Sequence, residues 1–213
     1  MNHIARILLA LGVAATAQAH AADTLFNTAP FTGSTANPAD GVRTVFAGQQ
    51  RSLASFNAAS DRFVFDLSKF NAGSALNFSS ASLATPALPG SNVIVLRESD
   101  DDGNPATAFG AGNAANMIAN MVTTDGAGFF MYSNSALGVN RLVYSTNLNL
   151  ATADLSVLAR IESPSGAAAP GALAGFGASN FTAAVPEPST YALMLAGLAA
   201  VGSLARRRSS LQK

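Results

Sequence analysis

Short apolar runs separated by turn residues dominate the middle of the chain. In these runs hydrophobic and polar side chains alternate, or Phe, Val and Ile follow one another, which is typical of β-strands. The gaps between them are rich in Gly, Pro, Asp and Ser, which favour tight turns. We predict strands at residues 62–67, 76–78, 92–96, 128–132, 141–144 and 155–159. Their spacing predicts a mainly β fold, either an antiparallel β-sandwich or an irregular barrel.

One segment has the periodicity of a helix instead. Its apolar residues recur at positions i, i+3, i+4 and i+7, which places them on one face of about three helical turns. These residues are Ala114, Met117, Ile118 and Met121. We therefore predict one short helix in the body, over residues 113–122. We interpret its methionines as core packing rather than as a ligand surface.

The first residues have the pattern of a secretory signal peptide. One positive charge, Arg6, precedes an apolar stretch over residues 7–17, and small residues follow at alternate positions. Cleavage after Ala21 fits best, and cleavage after Ala19 would also serve. An uncleaved anchor helix is the alternative, although the stretch is shorter than the roughly 20 residues that a spanning helix needs. We predict a signal helix over residues 1–21 that is removed on export.

The C-terminal segment has three parts in order. A Pro-Glu-Pro-Ser stretch comes first, residues 191–205 carry no charge, and three arginines follow: Arg206, Arg207 and Arg208. At 1.5 Å per residue the uncharged part gives about 22 Å of helix, a short membrane span that the arginines could lengthen by snorkelling. The positive-inside rule keeps these arginines, the membrane stop, on the cytoplasmic side. We predict a C-terminal transmembrane helix with the body outside.

This terminus resembles the PEP-CTERM sorting signal of Gram-negative bacteria. The resemblance covers residues 185–213 and includes the span and the arginine cluster. The sorting motif itself is Val185, Pro186, Glu187, Pro188 and Ser189. The resemblance implies recognition and cleavage by an exosortase, a membrane-embedded enzyme with a cysteine nucleophile, in species that make exopolysaccharide. It implies sorting and assigns no activity to the body.

Two regions lie between these terminal signals. We assign residues 22–162 to a β-rich extracytoplasmic domain and residues 163–184 to a Gly/Ala/Pro-rich linker region, in which Phe176 and Phe181 are candidates for docking on the domain. Without the leader and the tail the chain keeps seven basic and twelve acidic residues. Because phosphate binding needs clustered Lys and Arg, this mildly acidic balance predicts no nucleic-acid partner.

The amino-acid composition of the body excludes most kinds of catalytic site. The chain has no Cys, and both histidines, His3 and His20, lie in its first twenty residues. The body therefore has no disulfide framework, no thiolate zinc site and no Ser-His-Asp or Cys-His arrangement. Lys69 is its one lysine, and Asp66 stands where a Ser-x-x-Lys pair needs serine. We predict that the protein is not an enzyme and needs no cofactor.

The densest charge in the body lies over residues 98–104. Alternate oxygens from Asp100, Asp102 and Asn104 could face one calcium ion, as in D-x-D-x-N loops. An EF-hand is excluded because Pro105 replaces the glycine of the sixth position and Ala111 replaces the glutamate of the twelfth. A solvated turn between strands and a weak calcium site are both open.

The two terminal sorting signals, together with the lack of the usual catalytic arrangements in the body, suggest an exported envelope or extracellular-matrix protein. It would be anchored in the inner membrane before processing and would then lie at the cell surface or outside the cell. Its expected partners are an exosortase-type enzyme, the inner membrane and exopolysaccharide, to which the domain would add structural or adhesive contacts. A carbohydrate-binding module is the first alternative and needs exposed aromatic side chains, such as Tyr132 and Tyr144. A secreted hydrolase with two facing carboxylates is the second.

Overall fold

The structure, a computed structural model, describes residues 22–34 and 41–184. The predicted signal helix over residues 1–21 and the predicted sorting and anchor segment over residues 185–213 lie outside the described residues. Among the described residues no helix combines the length and the apolar character needed to cross a membrane.

The described part of the chain is mainly β. Its strands are β1 (Asp23–Phe26), β2 (Val45–Phe46), β3 (Arg51–Leu53), β4 (Arg62–Phe65), β5 (Phe78–Ala81), β6 (Val93–Leu96), β7 (Gly128–Asn134), β8 (Val139–Ser145), β9 (Leu155–Ile161) and β10 (Phe181–Ala183). The helices are α1 (Ala111–Ala119) and the single turn α2 (Ala169–Ala172). Short 3₁₀ turns lie at Leu67–Lys69, Gly166–Ala168, Leu173–Gly175 and Ala178–Asn180. The predicted helix over residues 113–122 is thus confirmed as α1.

The strands form two sheets, and most of their pairings are parallel. The smaller sheet has the order β1-β4-β10, with every strand parallel. The larger sheet has the order β2-β9-β8-β7-β6-β5, and β3 also pairs with β9. Only β7 with β8 and β8 with β9 are antiparallel among the described strands. The prediction of an antiparallel sandwich or barrel was therefore wrong in strand direction.

Connection length explains this difference. Parallel neighbours need a crossover of about a dozen residues or more, often with a helix. The connection from β6 to β7 contains α1, and β6 and β7 are parallel. Alternation within a run indicates a strand but carries no sign of its direction, so the sequence pattern alone favoured the commoner antiparallel arrangement.

The larger sheet is covered on both faces, which makes three layers. On one face a core rich in phenylalanine fills the space between the two sheets and includes Phe65 and Phe129, whose ring centroids are 4.1 Å apart. On the other face α1 packs through Ala114 and Ile118. Because both faces are covered, β6 and β7 are buried at every position and read as continuous apolar runs.

A β-bulge in β9 lets this strand serve both cores. The pairing between β8 and β9 slips between Leu142 and Val143, and Leu158 is the unpaired extra residue. Val157 therefore faces the helix side, whereas Ala159, two residues on, faces the phenylalanine core. A bulge changes the side on which the following residues lie, which is the expected effect of one inserted residue.

Residues 163–184, predicted to be a linker region, pack as part of the body. Leu173, Phe176 and Phe181 are buried in the phenylalanine core, and Ala169 accepts a hydrogen bond from the buried amide of Asn140 at 2.8 Å. Leu173, Phe176 and Phe181 are isolated large apolar residues among small ones, so the sequence shows neither the period of a strand nor that of a helix. The expected docking of Phe176 and Phe181 on the domain is observed.

Candidate functional site

The first and last described strands flank one central strand. β1 and β10 lie on the two sides of β4, and Val64 of β4 is level with Leu25 on one side and Thr182 on the other. At the start of β4, the amide of Arg62 donates to Ala22 at 3.0 Å. At its end, the amide of Ala184 donates to Phe65 at 2.7 Å. The described chain therefore begins and ends at opposite ends of β4.

The side chains of β4 alternate between the core and the surface. Phe63 and Phe65 are fully buried in the core, whereas Arg62 is exposed and Val64 is half-buried. Arg62 also binds Asp23 of β1 with two hydrogen bonds of 2.9 and 3.1 Å. Asp23 and Arg62 are register partners in β1 and β4, and their paired carboxylate and guanidinium favour this register.

Asn180 holds the beginning of β10 in place. Its side chain is 3% exposed. The amide nitrogen donates to the carbonyl oxygens of Ala58 at 2.7 Å and Asp61 at 2.8 Å, and the amide oxygen accepts from the backbone of Gly177 at 2.9 Å. This side chain thus joins the last described turn to the loop before β4.

The Asp61 carboxylate lies at the start of β4 and is 7% exposed. It accepts hydrogen bonds from the backbone nitrogens of Asn57 at 2.8 Å and Ala22 at 3.1 Å, and from the Ser60 hydroxyl at 2.9 Å. Burial raises the pKa of Asp61, but these three hydrogen bonds outweigh burial and lower the pKa below its ordinary value. Asp61 is therefore a buried, ionised carboxylate at neutral pH.

The segment that directly follows β10 matches a known family model. Residues 184–209 match the family model described as the PEP-CTERM protein-sorting motif. The chain carries a PEP-CTERM sorting motif. No curated protein and no solved structure matches the chain.

The PEP-CTERM motif begins where the described body ends. Its first matched residue, Ala184, is the residue whose amide is bound to Phe65. The predicted sorting residues from Val185 to Ser189 and the arginines 206–208 lie within the match but outside the described residues. The PEP-CTERM motif implies export, membrane anchoring before processing, and processing by an exosortase, a membrane enzyme.

The acidic turn brings three neighbouring carboxylates together. Oxygens of Asp100, Asp101 and Asp102 lie within 4.8 Å of one another. Among the predicted calcium ligands, Asp100 accepts from the amides of Asp102 and Gly103 at 3.0 Å, and Asp102 accepts from the amide of Asn104 at 2.8 Å.

These hydrogen bonds describe a self-supporting turn. Asn104 continues the series by accepting from Ala106 at 3.1 Å, and Asp101 accepts from Asn113 of α1 at 2.8 Å. The backbone hydrogen bond from Asn104 is the main cause of the lowered pKa of Asp102. Each predicted ligand thus has one oxygen engaged by the backbone, and calcium binding stays a prediction.

The two tyrosines of the body lie inside it. Tyr132 is 0% exposed, and its hydroxyl accepts from Asn134 at 3.1 Å. Tyr144 is 4% exposed, and burial raises its pKa. Phenylalanine behaves similarly, since every aromatic side chain in residues 22–34 and 41–184 is buried or half-buried.

Surface cavities in the described part of the chain are small and contain few charges. Four of them have volumes of about 200 to 370 Å³. One is lined by Asp61, another by Asp125, and the remaining two by no carboxylate. None of the four therefore contains the facing carboxylate pair of a glycosidase.

Sequence reasoning considered Asp61 only among the carboxylates that a hydrolase could use, and it gave no structural role to Asp61 or Asn180. Both act through hydrogen bonds to backbone atoms that lie far away in sequence, such as Ala22 for Asp61 and Ala58 for Asn180. A side chain that caps a distant loop leaves no spacing pattern. The one available signal was their position, because each stands immediately before a strand, Asp61 before β4 and Asn180 before β10.

Proposed function

We propose that this protein is an exported, non-catalytic surface protein that an exosortase processes and that adds structural or adhesive contacts to exopolysaccharide. The signal peptide directs export, and the C-terminal span holds the precursor in the inner membrane until cleavage. The body then lies at the cell surface or in the extracellular matrix. The observation that carries this proposal is the PEP-CTERM match at residues 184–209, which follows directly on β10.

The form of the body supports a structural role. Its aromatic side chains fill the interior, as with Phe65 and Phe129, and stabilise the layers through stacked and tilted contacts. The ends of the described chain are both held by β4, so a force applied at the C-terminus would reach the sheet through its backbone hydrogen bonds. Parallel strands pulled in opposite directions shear several hydrogen bonds at once, which suits a protein that links a matrix to a cell.

Two observations disfavour the alternatives. A carbohydrate-binding module stacks sugar faces on exposed aromatic rings, whereas Tyr132 and Tyr144 are buried. A hydrolase of the carboxylate type needs two facing carboxyl groups, whereas Asp61, the most buried of the cavity carboxylates, has its oxygens engaged by Asn57, Ser60 and Ala22.

Fractionation of cells tests the location. The wild-type chain and a Glu187→Ala variant are produced in a host with a PEP-CTERM exosortase, and Pro89→Ala, in an exposed turn, serves as the matched control. We expect the wild type and Pro89→Ala in the surface or medium fraction and Glu187→Ala in the inner membrane. The same distribution for all three chains would contradict sorting by this motif.

Exopolysaccharide isolated from the same host tests the role of the body. We expect purified exported protein to sediment with the polysaccharide and to release no reducing ends from it. Released reducing ends would favour the hydrolase instead. Failure to sediment with the polysaccharide would contradict the structural or adhesive role and would leave sorting untouched.

A further inference from the structure

The Asp61 carboxylate is buried and has no side-chain cation. Among the described residues the ion pairs are Arg62 with Asp23 and Arg160 with Glu162, and neither involves Asp61. Its donors are two backbone amides and one hydroxyl, all neutral. A buried charge is costly unless an opposite charge and hydrogen bonds compensate it. This site therefore has the hydrogen bonds but lacks the cation.

The missing cation has a candidate within hydrogen-bond distance. The backbone nitrogen of Ala22 lies 3.1 Å from Oδ1 of Asp61, and the favoured signal-peptide cleavage falls between residues 21 and 22. We propose that Asp61 is the binding site for the α-ammonium group that signal-peptide removal creates at Ala22. The proposal rests on the export that the proposed function assumes.

The chemistry of cleavage supplies the charge. A host signal peptidase adds water across the peptide bond between Ala21 and Ala22, so that Ala21 keeps a carboxylate and Ala22 keeps an amine. The amine takes a proton from water below its pKa of about 8 and becomes an ammonium group with three donors. A neutral amide donor at Asp61 is thereby replaced by a cation at the same place.

The charges around this position leave Asp61 as the natural partner. The adjacent pair of Asp23 and Arg62 neutralises itself through its two hydrogen bonds. Apart from Asp61, the cavity of about 260 Å³ beside Ala22 is lined by uncharged residues, namely Ala22, Thr24, Ser52, Leu53, Ala54, Ser55 and Phe56. Glu162 approaches from β9 but binds the hydroxyl of Ser52 and the guanidinium of Arg160.

Two consequences follow for maturation. The proposal distinguishes the two cleavage positions that the sequence left open, because a chain cut after Ala19 would keep a neutral amide at residue 22 and could not form the ion pair. The ion pair also forms only in the processed chain, so removal of the leader strengthens the contact between β1 and β4. The folded mature body is then more stable than the same body within its precursor.

N-terminal sequencing and amine labelling of the exported protein test the proposal. We expect Ala22 as the first residue. Labelling with acetic anhydride over a range of pH then gives the pKa of its α-amine, with Lys69 as the internal reference. Since the ion pair favours the protonated form, we expect a pKa above the ordinary 7.7 to 8.0 and labelling at pH 7.5 about tenfold slower than in Asp61→Asn. Asp66→Asn, at the other end of β4, is the matched control and should label like the wild type.

The possible results separate this proposal from the proposed function. An exported chain that begins at His20 would overturn the proposal and leave export intact, and so would an α-amine with an ordinary pKa in the wild type. The wild-type pKa decides the matter even where Asp61→Asn does not fold. A chain that is neither exported nor cleaved would overturn both.

Discussion

The amide nitrogen of Ala184 donates to the carbonyl oxygen of Phe65, and the two atoms are 2.7 Å apart. Ala184 is the first residue of the PEP-CTERM match, and Phe65 is fully buried at the end of β4. The first residue of the sorting signal is therefore hydrogen-bonded to β4, and no spacer separates the signal from the folded body. Processing near Glu187 would leave β10 and this hydrogen bond in the product.

Phe65→Ala tests the importance of the core at this junction. The ring lies 4.1 Å from Phe129 and 5.4 Å from Phe26 between centroids, so its loss leaves a cavity between the sheets. We expect the free energy of unfolding to fall by about 3 to 5 kcal/mol. Urea denaturation measures this change. Leu137→Ala, at an exposed turn position, should change it by less than about 0.5 kcal/mol, and equal effects would contradict the assigned core.

The sequence predicted the centre of the fold better than its edges. β6, β7, β8 and β9 were foreseen because long apolar runs identify buried strands, and α1 was foreseen from its four-residue stripe. β2 and β3 are two and three residues long and mostly exposed, so they form no recognisable pattern. The bulge at Leu158 was invisible because register depends on the partner strand.

Only the part of the candidate site that is continuous in sequence could be predicted. The PEP-CTERM motif is continuous in sequence and was recognised from Val185 to Ser189, and the family match confirms it. The placement of Ala22 and Ala184 at opposite ends of β4 depends on parallel pairings between strands that are far apart in the chain. Such pairings arise from tertiary packing, and no local pattern records them.

Asn180→Ala tests whether residues 163–184 belong to the folded body. The substitution leaves the carbonyl oxygens of Ala58 and Asp61 without their donor. We expect a loss of about 1 to 3 kcal/mol in the free energy of unfolding for each buried carbonyl left unsatisfied. Asn116→Ala, on the exposed face of α1, is the matched control. Limited proteolysis should cut Asn180→Ala between residues 163 and 184 faster than the wild type, and equal rates would argue for a loose linker.

The lowered pKa of Asp61 predicts how the stability of the folded protein depends on pH. Its pKa is lower in the folded protein than the value of about 3.9 in an unfolded chain. The folded state is therefore favoured above about pH 3.9, and this contribution is lost as pH falls through the folded pKa. Thermal melting between pH 6 and pH 2 should show a steeper loss in the wild type than in Asp61→Asn.

Two other carboxylates contribute in the same direction. Hydrogen bonds from Ser68 and Asn104 lower the pKa of Asp66 and Asp102, so Asp61→Asn should reduce the acid dependence without abolishing it. Ser74→Ala, at an exposed position without a titratable group, serves as the control and should follow the wild-type curve. An Asp61→Asn curve parallel to that of the wild type would contradict the role of this carboxylate.

The acidic turn is expected to bind calcium weakly. Asp100 and Asp102 already accept backbone hydrogen bonds, and Ala111 stands where an EF-hand has its bidentate glutamate. We expect calorimetry to give a dissociation constant no tighter than about 0.1 mM, in the range of extracellular calcium modules. Submicromolar binding that Asp100→Ala abolishes would show that further ligands complete the site.

The central claim is that an exosortase cuts the chain at its PEP-CTERM motif, and the intact mass of the protein tests it most directly. The full chain is produced in an exosortase-positive host and in the corresponding deletion strain, and both products are weighed by mass spectrometry. We expect a C-terminus near Glu187 in the first host and an uncut C-terminus at Lys213 in the second. An uncut C-terminus at Lys213 in both strains would contradict the claim.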